Sequence, residues 1–419
     1  MAGKILIEDL RAPVLTADQK RLLQEAADNP VRLTEEAVLA AASERARLDD
    51  FGSDDFRERL RVILDEVASN DNATELVKTT FFHKSVACAT TRLQARDLLA
   101  RHPEIHEVEV YRPIIVAGLP RSGTTHLLGL IGADTRLRAL PFWESNQPIP
   151  FPWERPGADG ADPRYRRSEQ AWERLQRVNP MIAPYHPMDP DHIHEDLDLQ
   201  SPDFSTYVWE WMFKLPGWRD YYFAHDQTPH YEYGKTMHKI LSWQDGAPTK
   251  RWVMKCPQHF EQLPTIMHVY PDATVVFTHR DPVASLQSIV TQLAYVTRTR
   301  EKKVDPDWYL EYWVDRVHRL LSAYVRDLPL VPEEQQVHVP FDEFVQDDVG
   351  WVERVYDVAG LPMTDDARSE IQDYLDQHER GKYGSIDHNL GRDFGVDPEE
   401  IRERFAFYFE SAPVAVEAR

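Results

Sequence analysis

The chain has 419 residues, 42% hydrophobic and 28% charged, enough for at least one large core and inconsistent with wholesale disorder. Forty-eight Lys and Arg against 70 Asp and Glu leave a net charge of −22, which argues against a broad nucleic-acid or anionic-membrane surface. No run is long enough to cross a bilayer, the apolar run at the N-terminus is too short for a signal-peptide core, and Cys88 and Cys256 make no disulfide framework, so a reducing, cytoplasmic setting is expected.

From about Thr16 to His102 the pattern predicts amphipathic helices, as in Thr34-Glu-Glu-Ala-Val-Leu and Phe56-Arg-Glu-Arg-Leu-Arg-Val-Ile-Leu, with Thr34 and Ser53 as N-caps. No chemical motif falls there. Residues 1–110 read as a helical region that serves as a cap or as a surface for homo-oligomerisation. At Arg112 the character changes. Pro113-Ile-Ile-Val-Ala is a short apolar run ending at Gly118, as a buried parallel strand does, and residues 111–419 read as an α/β domain.

Gly118-Leu-Pro-Arg-Ser-Gly-Thr-Thr follows that strand and opens the helical run His126-Leu-Leu-Gly-Leu-Ile. Its glycines let several N–H groups of the loop (Arg121, Ser122, Gly123, Thr124, Thr125) face one anion, and the helix adds its positive end. The spacing Gly118 to Gly123 matches a nucleoside-triphosphate loop, but Thr124 stands where the lysine belongs and Arg121 is the nearest cation. A ligand with a single 5′-phosphate and a group attached to it fits this loop better than ATP or GTP.

An aromatic- and proline-rich insertion spans about 141–245 and suits an apolar or ring-containing acceptor. Within it, His192-Ile-His-Glu-Asp could supply metal ligands, but successive polar residues without a fixed scaffold seldom do. A buried or hydrogen-bonded role near the acceptor is expected instead, and no metal is assigned. Two further strands follow. Arg251-Trp-Val-Met-Lys places Lys255 at one strand end, and Thr274-Val-Val-Phe-Thr-His-Arg places Arg280 just past another, with Ser288 two turns into the next helix. Val337-His-Val suggests a fourth strand. Strands separated by helices imply a three-layer α/β/α arrangement around a parallel sheet with a P-loop-like anion loop. Arg121, Lys255 and Arg280 would then converge beyond neighbouring strand ends, against the unfavourable net charge.

Pro-Arg-Ser-Gly-Thr-Thr at 120–125 resembles the 5′-phosphosulfate loop of sulfotransferases that use 3′-phosphoadenosine 5′-phosphosulfate (PAPS), and the Arg280 to Ser288 spacing is similar to their 3′-phosphate motif. Lys255-Cys-Pro also looks like the family's, especially its bacterial and tyrosylprotein branches. The resemblance covers roughly Pro113 to Ile289. It implies PAPS as co-substrate, adenosine 3′,5′-bisphosphate as product, a small-molecule or lipid hydroxyl as acceptor, and Arg121 and Lys255 stabilising the transferring group. Glu144, in Pro141-Phe-Trp-Glu, lies where the tyrosylprotein enzymes carry a catalytic glutamate, and Phe142 and Trp143 could raise its pKa. His259 is the second candidate base, with a spacing from Lys255 that departs from the cytosolic members' pattern. Gly381-Lys-Tyr-Gly through Arg392 resembles the C-terminal loop over the nucleotide, so Lys382 and Arg392 are expected to contact it. Two other classes remain open: a P-loop nucleotide kinase or hydrolase with Asp281 on magnesium, and a non-catalytic nucleotide-binding protein.

Overall fold

The computed structural model describes residues 4–378 and 382–417. Gly381 lies outside the described residues, whereas Lys382 and Arg392 lie within them. A short strand β1 (Lys4–Ile5) precedes four helices: α1 (Ala17–Asp28), α2 (Glu35–Ala46), α3 (Phe56–Ser69) and α4 (Glu75–Arg101). Thr16 and Gln19 form a capping box on α1, and the Thr34 and Thr74 hydroxyls cap α2 and α4. Ser53 is not a helix cap: α3 starts later, after Asp55, and the Ser53 hydroxyl accepts only a 3.5 Å bond from the Asp55 N–H.

The apolar faces of α2 to α4 are used inside the chain. Val38, Phe56, Leu60, Ile63, Phe81 and Leu93 share one cluster with Phe204, Trp209, Phe213, Trp218 and Tyr222 of the insertion. Packing therefore joins the N-terminal helices to the insertion.

Five strands make the central sheet: β2 (Ile114–Gly118), β3 (Leu137–Arg138), β4 (Arg251–Lys255), β5 (Thr274–His279) and β6 (Gln336–Pro340). Their order is β3-β4-β2-β5-β6 and every pairing is parallel. Four of them coincide with the apolar runs of the sequence; β3 has only two residues and leaves no periodic signal. A last two-residue strand, β7 (Ser385–Ile386), pairs with β1 and ties the two ends of the chain together.

Alternate residues of each strand face opposite ways, as the pleat requires. Ile115, Ala117, Met254, Val275 and Phe277 pack with Leu286, Ile289 and Val317 of the helices Pro282–Arg300 and Pro306–Asp327. Ile114, Val116, Val253, Val276 and Val337 pack on the other side with Leu127 and Ile131 of α5 (Thr124–Gly132) and with Val352 of the helix Asp348–Ala359. The result is the three-layer fold expected. An ion network crosses the first of these layers: fully buried Arg316 donates two 2.6 Å bonds to Glu261 and two longer ones to Glu210 of the insertion, which also accepts from Tyr312. Among the described residues no helix is long and apolar enough to cross a membrane.

Candidate active site

Because β4, β2 and β5 are neighbours and parallel, their C-terminal ends open on one edge of the sheet. The loop after β2 lies directly beside β5. A Cβ at Gly118 would stand 2.1 Å from the Thr278 hydroxyl and 2.9 Å from its carbonyl, so only glycine fits there. Ser122 locks the turn, its hydroxyl donating to the Leu119 carbonyl at 2.6 Å and lying 2.7 Å from the Thr278 hydroxyl. Gly123, at φ +89°, turns the chain into α5, so Thr124 and Thr125 begin a helix whose first N–H groups have no intrahelical acceptor.

Arg121 itself sits at φ +68°, an uncommon conformation for a side chain with a Cβ, and three bonds hold it. Its Nε donates to the Ser288 hydroxyl at 3.1 Å, its NH1 to the Tyr185 carbonyl at 2.6 Å, and its own carbonyl accepts from Arg280 NH1 at 2.5 Å. The loop motif and the Arg280–Ser288 motif are thus in direct contact. Burial, and then the Arg280 charge, lower the Arg121 pKa, as expected of cations gathered at one place.

Arg280 is otherwise occupied by the end of the chain. Its Nε and NH2 donate to the two oxygens of Glu417 at 2.6 and 2.9 Å, and its guanidinium lies 4.1 Å over Phe341. The backbone N–H of Glu417 in turn donates to Asp281 at 3.1 Å. Asp281 also caps the helix Pro282–Arg300 through Val283 and accepts from Arg402 at 3.0 Å. With its oxygens so engaged, it is poorly placed to serve as the magnesium acid of a kinase.

Lys255, 1% exposed at the end of β4, donates to the Thr125 hydroxyl at 3.2 Å and pairs with Glu195. The sequence offers Glu195 only within His192-Ile-His-Glu-Asp, with no pairing to Lys255. Its signal is the acidic pair Glu195-Asp196 after the histidines, and what brings it to Lys255 is tertiary: the Asp196 N–H donates to the Lys255 carbonyl at 3.3 Å.

Glu144 has a basic partner of its own. It sits in the short helix α6 (Phe142–Asn146) and accepts a 2.5 Å bond from Arg138, which also holds Asp245 at 2.7 Å. Burial pushes its carboxyl up, as the apolar neighbours suggest, while Arg138 pulls the other way. His259, 2% exposed, has both ring nitrogens engaged, one 3.1 Å from Asp196 and the other 2.9 Å from the Tyr231 hydroxyl. It is a core histidine, turned inward by the 3-10 turn Pro257–Glu261.

In the C-terminal segment, Arg392 bonds to Asp387 at 2.8 Å and Asp393 at 2.6 Å, and the Lys382 ammonium lies 5.7 Å from the centre of the Tyr383 ring. His388 of this segment reaches the site: its ring is 6.0 Å from that of Tyr185, its Nδ1 is buried without a partner, and burial and then Arg121 push its pKa down to about 4.

Three more histidines stand beside Lys255. His186, His192 and His194 each bring one ring nitrogen within 4.8 Å of the other two. Burial, the other rings and Lys255 hold His186 and His192 well below the usual histidine pKa.

A sequence model described as the sulfotransferase family matches residues 113–365. Among solved structures, the chain is similar to the sulfotransferase STF1 from Mycobacterium tuberculosis H37Rv at 28% identity and a TM-score of 0.76, over 89% of this chain and 98% of that one. It is also similar in fold to the sulfotransferase STF9 from Mycobacterium avium, at 24% identity and a TM-score of 0.82, over 94% and 99%. No curated protein matches.

Proposed function

The chain belongs to the sulfotransferase family, and on that premise we propose that it moves a sulfuryl group from PAPS to a hydroxyl of a small-molecule or lipid acceptor. The observation that carries this reading is the contact between the two anion-binding motifs: Arg280 on the Arg121 carbonyl and Arg121 on Ser288. One adenosine-based donor with a 5′ and a 3′ anionic end suits such a pair of sites. The loop Arg121 to Thr125 receives the 5′-phosphosulfate, with N–H groups at the start of α5 facing it. Arg280 and Ser288 receive the 3′-phosphate, which displaces the Glu417 carboxylate from the guanidinium.

Lys255 and Arg121 stabilise charge on the transferring group and on the departing phosphate oxygen. Glu195, already on Lys255, takes the place first expected of Glu144. The acceptor hydroxyl gives its proton to the Glu195 carboxylate, its oxygen bonds to sulfur, and the bond from sulfur to the 5′-phosphate oxygen breaks. The electron pair leaves on adenosine 3′,5′-bisphosphate, and the sulfate ester and the protonated carboxyl balance the step. The aromatic insertion, with Tyr185 next to the loop, supports a ring-containing or otherwise apolar acceptor.

The test is transfer of labelled sulfate from PAPS into a metabolite extract, with the products identified by mass. Label appearing in an organic sulfate ester, and lost with Lys255→Ala, is the expected result. Tight binding of adenosine 3′,5′-bisphosphate with no transfer to any acceptor would overturn it in favour of a nucleotide-binding protein without catalysis.

A further inference from the structure

From the placement of His186, His192 and His194 we infer that this chain has a three-histidine site for a divalent transition metal of the zinc class beside the anion-binding loop. The stretch 190–194 has the scaffold that its sequence alone does not reveal. Ile193 forms an antiparallel bridge with Pro141, the His194 N–H donates to the Leu140 carbonyl at 2.7 Å, and the Phe142 N–H donates to the His192 carbonyl at 2.9 Å. In an extended stretch residues two apart share a face. His192 and His194 therefore point the same way, while Ile193 packs into the opposite apolar cluster. His186 arrives from a separate turn, fixed through its neighbour Tyr185, whose carbonyl accepts from Arg121.

Two ring nitrogens in this group, His192 Nε2 and His194 Nδ1, are buried and have no hydrogen-bond partner. For His194 the reason is structural. Its Nε2 lies 3.2 Å from Asp198, a carboxylate that can only accept, so Nε2 carries the proton and Nδ1 presents a lone pair. Asp198 is anchored by Lys84 at 2.6 Å. A carboxylate behind an imidazole is the arrangement that orients histidine ligands at metal centres.

A zinc ion about 2.0–2.1 Å from each nitrogen separates tetrahedral ligands by roughly 3.4 Å, which small ring rotations reach from the observed spread. Three imidazoles leave a fourth position open. Lys255 opposes a dication here, and Glu195, between His194 and Asp196 in the chain, supplies compensating negative charge. The metal site does not rest on the proposed sulfuryl transfer.

The full-length protein, stripped with a chelator, is titrated with Co2+ and then Zn2+ in the absence of nucleotide, by visible absorption and calorimetry. One equivalent should saturate with the strong visible bands of four-coordinate, nitrogen-ligated cobalt, and Zn2+ should bleach them. His192→Gln and His186→Gln should each lose the signal, and Asp198→Asn should weaken binding about 10- to 100-fold. Adenosine 3′,5′-bisphosphate affinity and the melting temperature of each variant report the fold. Absence of saturable Co2+ binding by the folded wild type overturns the inference, as does undiminished binding in both folded histidine variants. Failure of the donor reading would show separately, as absence of nucleotide binding in the wild type.

Discussion

Replacing Arg280 by alanine is the most direct test of how the donor is held. In the free protein Arg280 grips the Glu417 carboxylate through Nε and NH2, and a 3′-phosphate that takes its place inherits a two-pronged contact. Hydrogen bonds to charged groups contribute about 1.5–3 kcal/mol each, so two give roughly 3–6 kcal/mol. The Glu417 pair that must open is partly exposed and offsets about 0.2–1 kcal/mol of that. The net loss for adenosine 3′,5′-bisphosphate is then about 2–6 kcal/mol, a roughly 30- to 25,000-fold rise in Kd. Adenosine 5′-monophosphate lacks the 3′ group, but it too feels the lost bond from Arg280 NH1 to the Arg121 carbonyl, worth about 0.5–1.5 kcal/mol. The quantity to measure by calorimetry is therefore the difference between the two ligands. Equal losses for both would refute the 3′-phosphate role.

Removing the competing carboxylate with Glu417→Gln should tighten adenosine 3′,5′-bisphosphate by a few-fold, since about 0.2–1 kcal/mol is no longer needed to open the pair; weaker binding in calorimetry would contradict this. Glu195→Gln should keep nucleotide affinity and lower kcat by about 100-fold or more, whereas Glu144→Gln should act mainly through its Arg138 bond and shift the melting temperature more than kcat; the reverse pattern would return the base to Glu144. Arg316→Met leaves Glu210 and Glu261 buried without a counter-charge and should cost about 3–5 kcal/mol in urea unfolding, so an unchanged midpoint would contradict the network's role. Burial pushes His238 down to about 4 and His279, beside His338, down to about 3. Below the unfolded value near 6.5 the unfolded chain binds protons that these buried rings refuse, so stability should fall as pH drops from about 6.5 towards 4. In urea midpoints measured against pH, His238→Gln should flatten that slope, and a parallel curve would count against the assignment.

Much of the sheet and its first loop could be read from local pattern. The buried parallel strands of five, five and six residues that end in Gly118, Lys255 and His279 follow short apolar runs, and the glycine spacing of 118–123 marks a tight loop because only glycine tolerates the approach of Thr278 and the positive φ at 123. The two-residue strands β1, β3 and β7 carry no such period, and Ser53 showed cap chemistry where the helix began three residues later.

Side-chain partners were a different matter, because they depend on contacts between segments far apart in the chain. Arg138 engages Glu144, Asp196 and Tyr231 engage both nitrogens of His259, and Glu195 comes to Lys255 because the stretch after the histidines is pinned to the end of β4. The meeting of His186 with His192 and His194, and of Glu417 with Arg280 across 137 positions of chain, has no sequence period at all. Strand, turn and helix follow from short-range sterics and hydrophobic spacing, which residue order carries directly. Which carboxylate meets which cation is set by the packing of layers, and that is a property of the folded chain alone.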